Sequence, residues 1–320
     1  MGRLARLKIE EGGAWYHLYC SVAGHRGQYP LEQALCQRKL IRLLRFYASV
    51  YCMRLGAFAV MGNHYHAVAN FEEQRSLSRK ELRERAHRLY PRSEPYWGLW
   101  TPKRWKRFEQ RLFDVSEYMR NVQSAFARWY NRQYDRKGRF WADRFKSTLL
   151  LDPQAVLDCV LYVELNPMRA GLVAEPEEWE GSSLFFRELK KDQDLAPLEE
   201  ILGLEPVEGA GRRSGEEAYR QYKGLLYYRG TVPTKETHAS LDAELVKQEE
   251  ARGFERRGVY LKRLRYFTDG VVLGGEEAVR RALRGLRKRG AYLRRLNPTA
   301  LAESTHFSLR EQRGNFVPLG

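Results

Sequence analysis

The chain has 320 residues, a formal net charge of +16, a pI near 9.7 and 43% hydrophobic residues. The apolar share is enough for a packed core and excludes global disorder, and the length fits two ordinary domains or one with a large appendage. The basic excess points to a polyanionic partner, nucleic acid first; a membrane is not expected, because no window reaches the roughly 18 apolar residues of a span and no long basic amphipathic helix stands out.

The first predicted element is a strand over residues 13–22, aromatic and alternating. Gly24 to Pro30 reads as a loop. Leu31, Leu35, Leu40, Leu43, Leu44 and Tyr47 recur at helical spacing, so residues 31–50 read as an amphipathic helix. Residues 51–60 form a second strand, Met61-Gly62-Asn63 a turn, and His64 to Phe71 a third strand, giving a hairpin. A charged helix follows over 76–90, then an irregular aromatic stretch from Pro91 to Pro102. One long helix is expected over 105–134, with Phe108, Leu112, Val115, Met119, Val122 and Phe126 on its apolar stripe. Arg139 to Leu151 reads as a loop entering a strand. Asp152 then caps a helix opened by Pro153 and ended near Asn166-Pro167.

This order of strand, helix, hairpin, helices, strand and helix predicts an α+β fold, an antiparallel sheet with helices packed on it. The domain reading is one domain over 1–190, an acidic, Gly-rich linker over 191–215, and a mostly helical basic region over 216–320. In that last region Tyr266 to Val279 reads as a turn opening a helix, and Arg280, Arg281, Arg284, Arg287, Lys288 and Arg289 crowd together. They form either a DNA-binding surface or a solvated helix face. Cys20, Cys36, Cys52 and Cys159 are widely spaced without a C-x-x-C pair, so they read as small core residues in a reducing compartment. No apolar leader follows Met1 to Arg6, and the cytoplasm is the expected location.

Two groups of residues carry chemistry. On a strand, His64 and His66 point to one face while Tyr65 points to the other. Both imidazoles can reach one ion, or they are two strand histidines with ordinary hydrogen bonds. On a helix, Tyr162 and Asn166 lie four apart and share a face. A tyrosine beside a metal ion can attack phosphorus and an asparagine oxygen can be a third ligand; alternatively these are a core tyrosine and a helix-ending Asn-Pro. Glu164 falls on a different face and reads as solvated or salt-bridged.

Three segments carry a resemblance. Met61-Gly62-Asn63-His64-Tyr65-His66-Ala67-Val68 resembles the HUH strand of single-tyrosine transposases. Gly138-Arg139-Phe140-Trp141-Ala142-Asp143-Arg144-Phe145-Lys146-Ser147 resembles their G-x-x-W-x-x-R-F-K-S segment, and Tyr162 to Val173 is similar to their Y-I-x-x-N-P-x-R-A-G-L-V run. Together and in this order they resemble the REP-associated tyrosine transposases, over about residues 10–190. Departures are Gly62 and Ala67 at places where proline and leucine are common, and a W-S-S run interrupted as Trp179-Glu180-Gly181-Ser182-Ser183, to which no role is assigned. Tyr266 to Gly275 resembles the F-T-x-G-x-x-x-G-S tail of longer members, with Gly275 in place of the serine.

The resemblance implies a ferredoxin-like HUH core with the histidines on a central strand and Tyr162 on a helix facing them. His64, His66 and Asn166 would bind a divalent ion, Mg²⁺ or Mn²⁺, and Tyr162 would be the nucleophile. The substrate would be single-stranded DNA carrying hairpin-forming palindromic repeats, cut through a 5′-phosphotyrosine, in a bacterial, nucleoid-associated setting. Arg139, Arg144 and Lys146 are candidates for phosphate contacts, and Phe140 and Trp141 for base stacking; the alternative for Phe140, Trp141 and Phe145 is core packing under the sheet. The nucleophile helix would come from the same chain in a monomer or from a partner in a dimer; the sequence leaves both open. Competing readings are a non-catalytic hairpin-binding regulator and a metal-dependent hydrolase of small phosphoesters.

Overall fold

The computed structural model describes residues 13–24, 27–204, 211–231, 239–242, 244, 247, 270–287, 298–300 and 306–310. The first part runs β1 (Ala14–Ser21), α1 (Ala34–Val50), β2 (Met53–Val60), β3 (His64–Phe71), α2 (Arg79–Leu89), a 3₁₀ segment (Pro91–Leu99), α3 (Pro102–Leu112), α4 (Val115–Gln133), β4 (Lys146–Leu150) and α5 (Pro153–Arg169). Their four strands lie in the order β2-β3-β1-β4, every neighbouring pair antiparallel. That is the ferredoxin-like order expected from the sequence, and the α+β class holds.

The strand period decides which side each residue faces. Tyr16, Leu18 and Cys20 of β1 and Tyr65, Ala67 and Ala69 of β3 join one core with Leu40 and Leu44 of α1 and Met119, Val122 and Phe126 of α4. The opposite face carries Ala57, Ala59 and Val68 against Val156, Cys159, Val160 and Val163 of α5. Helix α5 is buried nearly all round, because α7 (Leu198–Leu202) and α8 (Gly211–Gly230) pack on its outer side. A helix so enclosed is apolar on every face, which explains the run from Ala155 to Val163. At Gly56 the β2–β3 register slips, and a Cβ there would meet the Trp15 ring at 2.6 Å, so any larger residue requires that ring to move.

Three expectations need correction. The helix expected over 105–134 is two, because Asp114 stops α3 and caps α4, its side chain accepting from Ser116 N at 2.7 Å and Glu117 N at 3.3 Å. Asn166-Pro167 does not end α5, which runs on to Arg169 with Pro167 inside its last turns. Ala170 N still donates to Asn166 O at 2.9 Å, and Gly171, at φ +72°, turns the chain away. The stretch expected as a linker is packed structure as far as Leu204: Arg187, in α6 (Ser183–Glu188), donates to Gly56 O and Ala196 O, and Leu195 bridges to Leu55 beside β2.

The C-terminal region, expected to be mostly helical, adds strands. β5 (Gly270–Gly275) pairs parallel with β4, and β7 (His306–Arg310) pairs with β5 and with β6 (Thr299–Ala300), making one seven-stranded sheet. Helix α9 (Glu276–Arg287) opens where the sequence expects it. Arg280, Arg281 and Arg284 are exposed on α9, and the first two pair with Glu276 and Glu277. The Arg287 side chain, Lys288, Arg289 and the Tyr266 to Asp269 start of the expected turn lie outside the described residues. All four cysteines are buried thiols, as expected. Among the described residues no helix is long and apolar enough to cross a membrane.

Candidate active site between the sheet and helix α5

His64 and His66 project from β3 toward α5, their ring centroids 5.1 Å apart. The register sets Tyr19 opposite His66 and Lys146 opposite Tyr19, and His17 opposite Val68, so β1 and β4 add these side chains to the same face. Tyr19 lies 5.5 Å from His64 and 5.1 Å from His66, between ring centroids. The Tyr162 ring meets this cluster from α5, edge-on to His66 at 5.6 Å and to His17 at 6.1 Å. Asn166 follows one turn later on α5, and its Nδ2 donates to Tyr162 O at 2.8 Å, which leaves Oδ1 as the acceptor end of the amide.

The electrostatics favour a neutral His64 imidazole. Burial pushes His64 down to about 4. Each histidine is also held through Nδ1: His64 meets Asn63 Oδ1 at 2.8 Å, and His66 meets His17 Nε2 at 2.9 Å. A histidine oriented through one ring nitrogen, and neutral, presents the other for coordination. Among the described residues no three His, Cys, Asp or Glu side chains converge as a metal-holding group. A three-ligand protein site here therefore draws its third donor from another residue type, and the Asn166 carboxamide oxygen suits a hard divalent ion.

The sequence candidates separate into two sets. His64, His66 and Tyr162 are brought together, and Asn166 lies one turn along α5 from Tyr162. Lys146 is exposed on the same sheet face, its Nζ 5.8 Å from the Tyr19 ring centre. Arg139 and Arg144 are exposed on the segment leading into β4. Trp141 is not with them: its Nε1 donates to Gln123 O at 2.9 Å, and its ring packs 5.5 Å from Tyr65 and from Phe126 in the α4-side core. Phe140 and Phe145 are buried in the same core. The core-packing alternative therefore describes these three aromatics.

Sequence reasoning missed His17 and Tyr19. Their signal was present: the alternation of β1 puts them two apart on one face, as it does His64 and His66. Only the β1–β3 pairing reveals that they belong to one site. Glu164 is also different from expectation. It is fully buried, accepting from Ser183 Oγ at 2.5 Å and from the Tyr222 hydroxyl. Burial pushes its carboxyl up, against the opposing pull of Arg187, Ser183 and Tyr222. The Trp179 to Ser183 stretch thus acquires a structural role: Trp179 Nε1 donates to Val60 O at 3.0 Å, Ser182 caps α6, and Ser183 ties β2 to α5 through Phe58 and Glu164.

No family model and no curated protein matches the chain. A solved structure described as a REP-associated tyrosine transposase bound to a REP hairpin aligns over 66% of this chain and 92% of its own, at 17% identity and a TM-score of 0.39. That likeness is too loose to carry a role for any residue, and the functional reading rests on the side chains at the site.

Proposed function

We propose that the chain is a metal-dependent, single-stranded-DNA endonuclease and strand transferase of the HUH type, acting on hairpin-forming palindromic repeats. The observation that carries this reading is the Tyr162 ring set 5.6 Å from His66, with His64 5.1 Å from His66 and Asn166 one helical turn from Tyr162. A core tyrosine needs no such neighbours. The three sequence motifs and the exposed Lys146, Arg144 and Arg139 support it further.

His64, His66 and the Asn166 carboxamide would hold Mg²⁺ or Mn²⁺. Such an ion supplies Lewis-acid polarisation of the scissile phosphate. The Tyr162 oxygen bonds to phosphorus as the bond from phosphorus to the 3′ oxygen breaks. The phenol loses its proton and the departing 3′ oxygen gains one, leaving a 5′-phosphotyrosine and a 3′-hydroxyl. Attack by a second 3′-hydroxyl reverses the step and joins the strands, so the phosphoester energy is conserved and no nucleotide cofactor is consumed. Exposed cations at 139, 144 and 146 would hold the incoming strand by its phosphates.

One observation favours a second reading, a non-catalytic hairpin-binding regulator: Tyr162 is only 6% exposed, as a core tyrosine would be. A cleavage assay separates the two. End-labelled single-stranded repeat DNA from the gene's flanks is incubated with the protein and Mn²⁺, beside Tyr162→Phe and EDTA controls. Cleavage lost in both controls supports the nuclease; tight hairpin binding without cleavage supports the regulator.

A further inference from the structure

Residues 79–112, inserted between β3 and α4, hold eleven lysines and arginines against four glutamates. Between the 3₁₀ segment and α3 lies a cleft of about 550 Å³ whose lining includes Lys103, Arg104, Arg107 and Arg111 and no carboxylate. Its other walls are aromatic and hydroxylic, with Tyr90, Trp100 and Thr101 among them. The Arg104 guanidinium lies over the Trp100 ring, 4.3 Å from its centre, which holds that cation in place. Arg111 is engaged by Glu117 at 2.6 Å, whereas Lys103, Arg104 and Arg107 make no ion pair with a carboxylate among the described residues.

Helix stability does not explain these charges. The first turn of α3 holds no acid but carries Lys103 and Arg104, where the helix dipole disfavours cations. Places where a local rule is broken are candidates for functional sites. The cleft is also remote in kind from the histidine site, because Trp105, Phe108 and Leu112 seat α3 in the core on the other face of the sheet.

We propose that this cleft is a second nucleic-acid site, holding one strand by its phosphates through Lys103, Arg104 and Arg107. A concave, ring-lined basic cleft suits a single strand, whose backbone follows the groove while its bases lie against aromatic walls. The inference does not depend on catalysis at Tyr162, and its test needs no metal.

The test is binding of a fluorescein-labelled 20-nucleotide oligothymidylate to the full chain in EDTA, by anisotropy across a salt series. The cleft variant carries Lys103→Gln, Arg104→Gln and Arg107→Gln; a control of equal charge change carries Lys190→Gln, Lys191→Gln and Arg220→Gln. Each lost phosphate contact removes about 0.7 from the slope of log affinity against log salt for a single strand. The cleft variant is therefore expected to lose about 2 from the slope and about a hundredfold in affinity at 0.1 M salt, with an unchanged thermal midpoint, while the control keeps the wild-type slope. Wild-type slope and affinity in the cleft variant overturn the proposal. A loss confined to a 20-base-pair duplex, with single-strand binding intact, overturns the single-strand assignment as well.

Discussion

His17 Nε2 and His66 Nδ1 lie 2.9 Å apart, with their ring planes within 9° of parallel, so the two imidazoles meet edge to edge. One nitrogen donates and the other accepts, which fixes the His66 ring and selects its tautomer. Outer-sphere partners of this kind are worth about 10- to 100-fold in metal affinity. Replacing His17 with glutamine is expected to weaken Mn²⁺ binding by that factor, read by titration calorimetry, with the circular dichroism spectrum unchanged. Undiminished affinity would show that His17 does not orient a ligand.

The buried Glu164 predicts a pH dependence of stability. Its folded pKa lies above its ordinary value of 4.5, with burial as the largest cause. The stability it contributes is fully present below about pH 4.5 and is lost as pH rises through the raised folded value. Glu164→Gln, which stays neutral, is expected to be more stable than wild type at pH 8 and to lose that advantage at pH 4.5. Urea denaturation at the two pH values checks this; an equal difference at both would contradict it.

Asp158, Arg229 and His306 form a buried charged cluster joining α5, α8 and β7, with His306 Nε2 at 2.7 Å from Asp158 Oδ2 and the Arg229 guanidinium on Oδ1. Removing one partner strands a buried charge, which costs about 3–5 kcal/mol. Asp158→Ala is expected to lower unfolding free energy by that amount, and Asp158→Leu with Arg229→Met by clearly less than the sum of the single changes. A cost for Asp158→Ala under about 1 kcal/mol would mean that the cluster does not hold the C-terminal strands to α5.

What the sequence conveyed and what it withheld follow from the range of each interaction. The four strands of the first part and helices α1, α2 and α5 were legible, because periods of 2 and 3.6 are local. So was the convergence of His64 with His66, two residues apart, and of Tyr162 with Asn166, one turn apart. The break at Asp114 was missed because the apolar stripe continues across it. His17 and Tyr19 were missed because their place at the site depends on β1 pairing with β3, 49 residues away between His17 and His66. Glu164 read as solvated because α5 was taken as a helix with an outer face, whereas Tyr222 of α8 and Ser183 of α6 close over it. The strands near the C-terminus are short, β5 holds three glycines in six residues, and their apolar alternation is too brief to separate from a helix entry.

The central claim is that Tyr162 is the nucleophile, and Tyr19 is its nearest rival, with a half-exposed ring closer to both histidines. The most direct measurement is peptide mapping of the protein–DNA adduct: a reaction with single-stranded repeat DNA and Mn²⁺ is digested with protease and nuclease, and the residue bearing the nucleotide is located by tandem mass spectrometry. A 5′-phosphate on Tyr162, absent in Tyr162→Phe and in EDTA, is the predicted result. DNA cleavage with the adduct on Tyr19, or with no adduct at all, would contradict it.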